Sequence, residues 1–86
     1  MKIKFVTLLL AVGLLVGCAG NDEDIPVGEL PAVVRQAIDQ RYPGAQYVSA
    51  ERETENGVTS YEVEITFEGR QLEIDVTADG VISTDS

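Results

Sequence analysis

The chain predicts an α+β fold, one N-terminal helix packed on a four-stranded antiparallel β-meander in two layers, and three observations carry that expectation. Apolar residues recur at helical spacing between Pro31 and Pro43. From Gln46 onward the period changes to two, and the turn pairs Asn56-Gly57, Glu68-Gly69 and Asp79-Gly80 punctuate the rest at similar intervals.

The helix comes first. Proline suits a helix start, where its missing N–H has no intrahelical partner, and Pro43-Gly44 stops one. Between them Leu30, Val34, Ala37, Ile38, Arg41 and Tyr42 fall three and four apart, forming one apolar stripe closed by a Tyr. A helix this short is marginal alone, so the stripe must lie on a sheet.

The strands follow by alternation. Tyr61, Val63, Ile65 and Phe67 alternate with Glu62, Glu64, Thr66 and Glu68, and Leu72, Ile74 and Val76 alternate with Glu73, Asp75 and Thr77. One face is core and the other is acid. Two-residue loops at Asn56-Gly57 and Glu68-Gly69 pair Ala50 with Val63, Val48 with Ile65, Ile65 with Leu72, Val63 with Ile74 and Tyr61 with Val76. At the last hairpin a three-residue loop, Ala78-Asp79-Gly80 with Gly80 at positive φ, keeps Ile82 opposite Val76 on the core side.

The N-terminus belongs to a different regime. Lys2 and Lys4 precede thirteen uncharged, mostly aliphatic residues from Phe5 to Gly17, and Asn21, Asp22, Glu23 and Asp24 follow. That order reads as a secretory signal, and thirteen residues fall short of the roughly 18 to 20 that cross a bilayer. The run ends in Leu15-Val16-Gly17-Cys18, which resembles the lipobox of bacterial lipoproteins. The resemblance implies a signal peptide over 1–17 and acylation of Cys18, with the lipid bilayer as the first partner. Two or three acyl chains, at about 0.8 kcal/mol per buried methylene, hold such an anchor almost irreversibly. Residues 18–28, rich in Gly, Asn, Asp and Glu, read as the lipidated Cys and a flexible tether, leaving 29–86 as the folded domain. The expected location is the cell envelope, outside the cytoplasm, and Ala19 after the Cys resembles the signal for the outer membrane where there are two.

Composition narrows the chemistry. The whole chain of 86 residues has no His and one Cys, so it lacks the usual proton shuttle, the commonest transition-metal ligand and any internal disulfide. Beyond residue 17 the bases are Arg35, Arg41, Arg52 and Arg70 against fifteen acids, which leaves eleven negative charges uncompensated and makes nucleic acid a poor partner. No cofactor is expected.

The helix closing in Arg-Tyr-Pro-Gly, the strand running into Glu-x-Glu-x-x-Asn-Gly, then Tyr-Glu-Val-Glu-Ile, a Gly turn and Leu-Glu-Ile-Asp-Val-x-Ala-Asp-Gly are together similar to the PepSY domain, including its subgroup similar to β-lactamase inhibitory protein. The resemblance covers residues 29–86, with Tyr42-Pro43-Gly44 and Ala78-Asp79-Gly80 its specific parts. It implies a domain found in envelope lipoproteins and in propeptides of thermolysin-type metalloproteases. Such a domain restrains a peptidase or binds another protein outside the cytoplasm, and the family has no catalytic motif to transfer.

The candidate binding face is the acidic one. The register puts Glu51, Glu62 and Asp75 in one cross-strand row and Ser49, Glu64, Glu73 and Asp85 in the next. Like charges directly opposite destabilise a sheet by a few tenths of a kcal/mol per pair. Three readings stand: a face kept acidic for solubility, a face that meets a basic protein surface, or a face that binds a divalent cation through oxygen ligands. Catalysis by paired carboxylates would need a cleft that buries one of them, which a flat strand face does not supply. Tyr47 falls outward at the open edge strand as a contact anchor unless it folds over the edge or a bulge turns it inward.

Overall fold

The computed structural model describes residues 20–85, so the expected signal peptide and Cys18 lie outside the described residues. Five strands run in chain order across one antiparallel sheet: β1 (Gly20–Ile25), β2 (Gln46–Glu55), β3 (Val58–Phe67), β4 (Arg70–Thr77) and β5 (Ile82–Asp85). A single turn of 3₁₀ helix (Val27–Glu29) and α1 (Ala32–Arg41) connect β1 to β2. Among the described residues no helix is long and apolar enough to cross a membrane.

The helix starts where proline permits. Pro31 caps it, and the Pro31 carbonyl accepts from the Val34 and Arg35 amides at 3.0 and 3.1 Å. It stops at Tyr42, whose amide donates to Ile38 O at 2.7 Å, before a turn that Gly44 makes at φ 84°. Its stripe covers the inner face of the sheet. Val34 and Ile38 are fully buried there against Val63, Ile65, Ile74 and Val76.

All three hairpins follow the expected registers, one throughout and the other two next to their turns. Glu51↔Glu62 and Ala50↔Val63 hold across β2–β3, and Tyr61↔Val76, Val63↔Ile74 and Ile65↔Leu72 across β3–β4. In the last hairpin Val76 does face Ile82, and Gly80 has φ 91°. Gly80 also has no room for a side chain, since a Cβ would come within 2.8 Å of Val33 Cγ2 on the helix. The β4–β5 loop therefore packs directly on the start of α1.

The expected four-stranded sheet is corrected to five strands. Gly20–Ile25, inside the segment read as a tether, pairs along β2 from Gly20↔Glu55 to Ile25↔Ala50. Its sequence, Gly-Asn-Asp-Glu-Asp-Ile, has poor strand propensity, and the pairing with β2 and burial of its last residue outweigh that. Ile25 is 7% exposed and joins Leu30 and Ala50 in the core, while Glu23 accepts from Arg52 at 2.7 Å.

Two further corrections come from bulges. A register shift between Tyr47 and Ser49 leaves Val48 without a partner, so Tyr47, not Val48, faces Ile65. A shift between Asp75 and Val76 brings Asp85 opposite Ile74 rather than Glu73. Each inserts one residue and moves an end of its strand onto the helix side.

Ile25 tests whether β1 belongs to the core. Ile25→Ala is expected to lower unfolding stability by about 2 kcal/mol in urea melts, the size of a large-to-small core change. A loss within the range of exposed-site substitutions, below about 0.5 kcal/mol, would mean that β1 does not dock.

Candidate functional site

Strand parity decides which charges share the outer face. β1 turns Asp22 and Asp24 outward, β2 turns Glu51 and Glu53, β3 turns Glu62 and Glu64, and β4 turns Glu73 and Asp75. They stand opposite one another: Asp24, Glu51, Glu62 and Asp75 in one row, Ser49, Glu64 and Glu73 in the next, with Asp22 across from Glu53. Arg52 lies opposite core Tyr61 and Arg70 opposite Phe67, both on the helix side, and Arg35 and Arg41 belong to the helix itself. Among the described residues no base therefore shares this face.

The carboxylates are close enough to feel one another. A shallow depression of about 110 Å³ opens between them, floored by Ser49 and Ala50 and walled by Asp24, Glu51, Glu62, Glu64 and Glu73. Ser49 donates to Glu64 Oε1 at 3.3 Å. Carboxylate oxygens of Asp22, Glu51 and Glu53 lie within 4.8 Å of one another. Partial burial lifts the Glu62 carboxyl to about 7, helped by the charge of Glu73, a hydrogen bond with Glu51, and the charges of Glu53 and Asp75. Glu53 is also raised, by burial first and then by Asp22 and Asp75.

Of the residues expected at the site, Glu51, Glu62, Glu64, Glu73 and Asp75 come together as the alternation required. Two do not join them. Tyr47 is half-buried on the helix side, where its hydroxyl donates to Asp39 Oδ1 at 2.7 Å and the Arg35 side chain stacks on its ring at 4.8 Å. Burial, then the Asp39 carboxylate, raise its pKa. Asp85 accepts from Arg41 Nη2 at 2.9 Å and from the Tyr42 hydroxyl. The residues missed are Asp22, Asp24 and Glu53. Glu53 continues the outward parity of Glu51, and the two Asp could have been found from their spacing of two ahead of the apolar Ile25.

Residues 31–79, more than half of the chain, match the family described as PepSY, peptidase propeptide and YPEB domain. The chain belongs to the PepSY family. No curated protein and no solved structure matches it. The PepSY match runs from the start of α1 to the loop after β4, so it takes in the acids of β2, β3 and β4. The two edge strands stand outside it, and with β1 go Asp22 and Asp24.

The raised Glu62 carboxyl gives this PepSY face a pH signature. Folded Glu62 keeps its proton up to about 7, against an ordinary value of 4.5. Between those values the native state binds more protons than the unfolded one, so this contribution to stability falls as pH rises and is lowest above 7. Glu62→Gln removes it. The variant is expected to be about 0.5 to 1 kcal/mol more stable than wild type at pH 8, allowing for solvent screening, and to lose that advantage at pH 5. Urea melts at both pH values check this, and a variant less stable at pH 8 contradicts it.

Proposed function

We propose that this PepSY domain binds and restrains another extracytoplasmic protein, with a peptidase the leading class of target, and carries out no reaction of its own. The observation that carries the reading is the outer face, where four neighbouring strands each present at least two carboxylates and no base. Such a face tolerates its own repulsion when a basic surface neutralises it, and its field speeds encounter with that surface. Family membership supports restraint of a peptidase as the form of that binding. The face is shallow and open, without the enclosed cleft that acid–base chemistry requires.

The domain is tethered by acylated Cys18 to a bacterial envelope membrane, at the outer membrane facing the periplasm where the cell has two. The Gly17-Cys18 junction supports this. With most of its charge negative, the body is repelled by anionic lipid while the acyl chains hold it, which leaves the acidic face free for a soluble partner.

A second reading has its own observation. The Asp22, Glu51 and Glu53 oxygens lie close enough to share a divalent cation, and hard oxygen ligands suit Ca²⁺.

Crosslinking in the native envelope from a photoreactive residue placed at Glu64, read by mass spectrometry, is expected to trap one protein with a basic surface. Its association rate should fall as salt rises and fall again when Glu62 and Glu73 are both changed to Gln. An unchanged rate in that variant contradicts the basic-partner reading. A melting temperature raised by millimolar Ca²⁺ but not by NaCl of equal ionic strength would favour the cation instead. For the anchor, Cys18→Ala is expected to move the protein from the membrane to the soluble fraction, and a variant still membrane-bound would contradict it.

A further inference from the structure

On the helix side, at the end of the sheet away from β1, lies a groove of about 320 Å³ between Tyr42, Phe67 and Leu72, with Arg70 and Asp85 at its rim. Three of its lining residues are apolar or aromatic and two are charged. Tyr42 and Leu72 are buried, Phe67 is half-buried, and the Tyr42 and Phe67 rings meet edge to face at 5.3 Å, which shapes the apolar part of the groove.

The charges at the rim are not equivalent. Asp85 is already engaged, accepting from Arg41 at 2.9 Å and from the Tyr42 hydroxyl. Arg52 is paired with Glu23, and Arg35 stacks on Tyr47 and reaches Val27 O at 3.4 Å. Among the described residues Arg70 is the one arginine with neither a carboxylate nor an aromatic partner, in a chain with fifteen acids and six bases. A guanidinium left free beside an apolar groove matches a ligand that carries an apolar group next to an anion, and its fork binds a carboxylate through two parallel hydrogen bonds.

We infer that this groove binds the C-terminal residue of a peptide, its apolar side chain seated between Tyr42, Phe67 and Leu72 and its free carboxylate on Arg70. The site lies on the opposite side of the sheet from the acidic face and stands independently of the function proposed for that face. The acids of that face lie across the sheet, and screening over about 8 Å at physiological salt weakens their repulsion of an anionic ligand.

The test is a titration of the full-length ¹⁵N-labelled protein in detergent micelles with acetyl-Gly-Gly-Leu bearing a free carboxylate, followed by amide NMR shifts. One ion pair and one seated side chain correspond to a Kd on the order of 1 mM. Saturable shifts are expected at Phe67, Arg70 and Leu72. Capping the peptide as its C-terminal amide, or Arg70→Gln, is expected to weaken binding at least about ten-fold, the loss of one charge-assisted contact. Arg52→Gln removes the same charge elsewhere and is expected to leave the affinity unchanged. Equal binding of acid and amide, equal weakening by both Arg variants, or no saturable shift at these residues would overturn the inference.

Discussion

Among the described residues a single α-helix has to cover one face of a sheet wider than itself, and the rest of the described fold follows from that constraint. Ten residues of α1 span about 15 Å, whereas five strands at about 4.8 Å spacing span about 19 Å. Val34 and Ile38 therefore seal the middle, and other groups must close the margins. On the β1 side this falls to Ile25 and Leu30. On the β5 side Tyr42 does so, with Phe67 and Ile82 half-buried beside it.

The two bulges serve the same end. Each turns a polar-tipped residue toward the helix: Tyr47 from β2 reaches Asp39 and the Arg35 carbonyl, and Asp85 from β5 reaches Arg41 and Tyr42. The C-terminal half of α1 is thus gripped from two different strands. Among the described residues no helix covers the outer face, so it must stay wet. Its polarity is required by the fold, but its single sign is not, since alternating Lys and Glu would satisfy solvation without repulsion. That separates what solubility explains from what binding is invoked to explain.

Most of this was legible in the sequence because strand parity is strict. Once Tyr61, Val63 and Ile65 are assigned inward, Glu62 and Glu64 have nowhere else to go, and the hairpin turns at Asn56-Gly57 and Glu68-Gly69 fix their partners. What escaped had physical causes. An inserted residue reverses parity beyond it, and neither Val48 nor Ser83, the residues left unpaired, differs in type from a regular strand residue, so the sequence puts Asp85 on the outer side and leaves Tyr47 open to either. β1 escaped because its stability comes from pairing and from one buried residue at its end, while its composition is that of a solvated linker. The groove beside Arg70 depends on the Asp85 bulge and had no signature along the chain.

The central claim is that the outer face is a continuous, uncompensated sheet of carboxylates in direct cross-strand opposition. It is tested most directly by following each side-chain carboxyl through a pH titration by carbon-detected NMR. Glu62, partly buried and with Glu73, Glu51, Glu53 and Asp75 around it, is expected to give up its proton near 7, later than an isolated glutamate at 4.5. A Glu62 carboxyl that titrates at its ordinary value would contradict its partial burial among these charges and, with it, the face on which the proposed function rests.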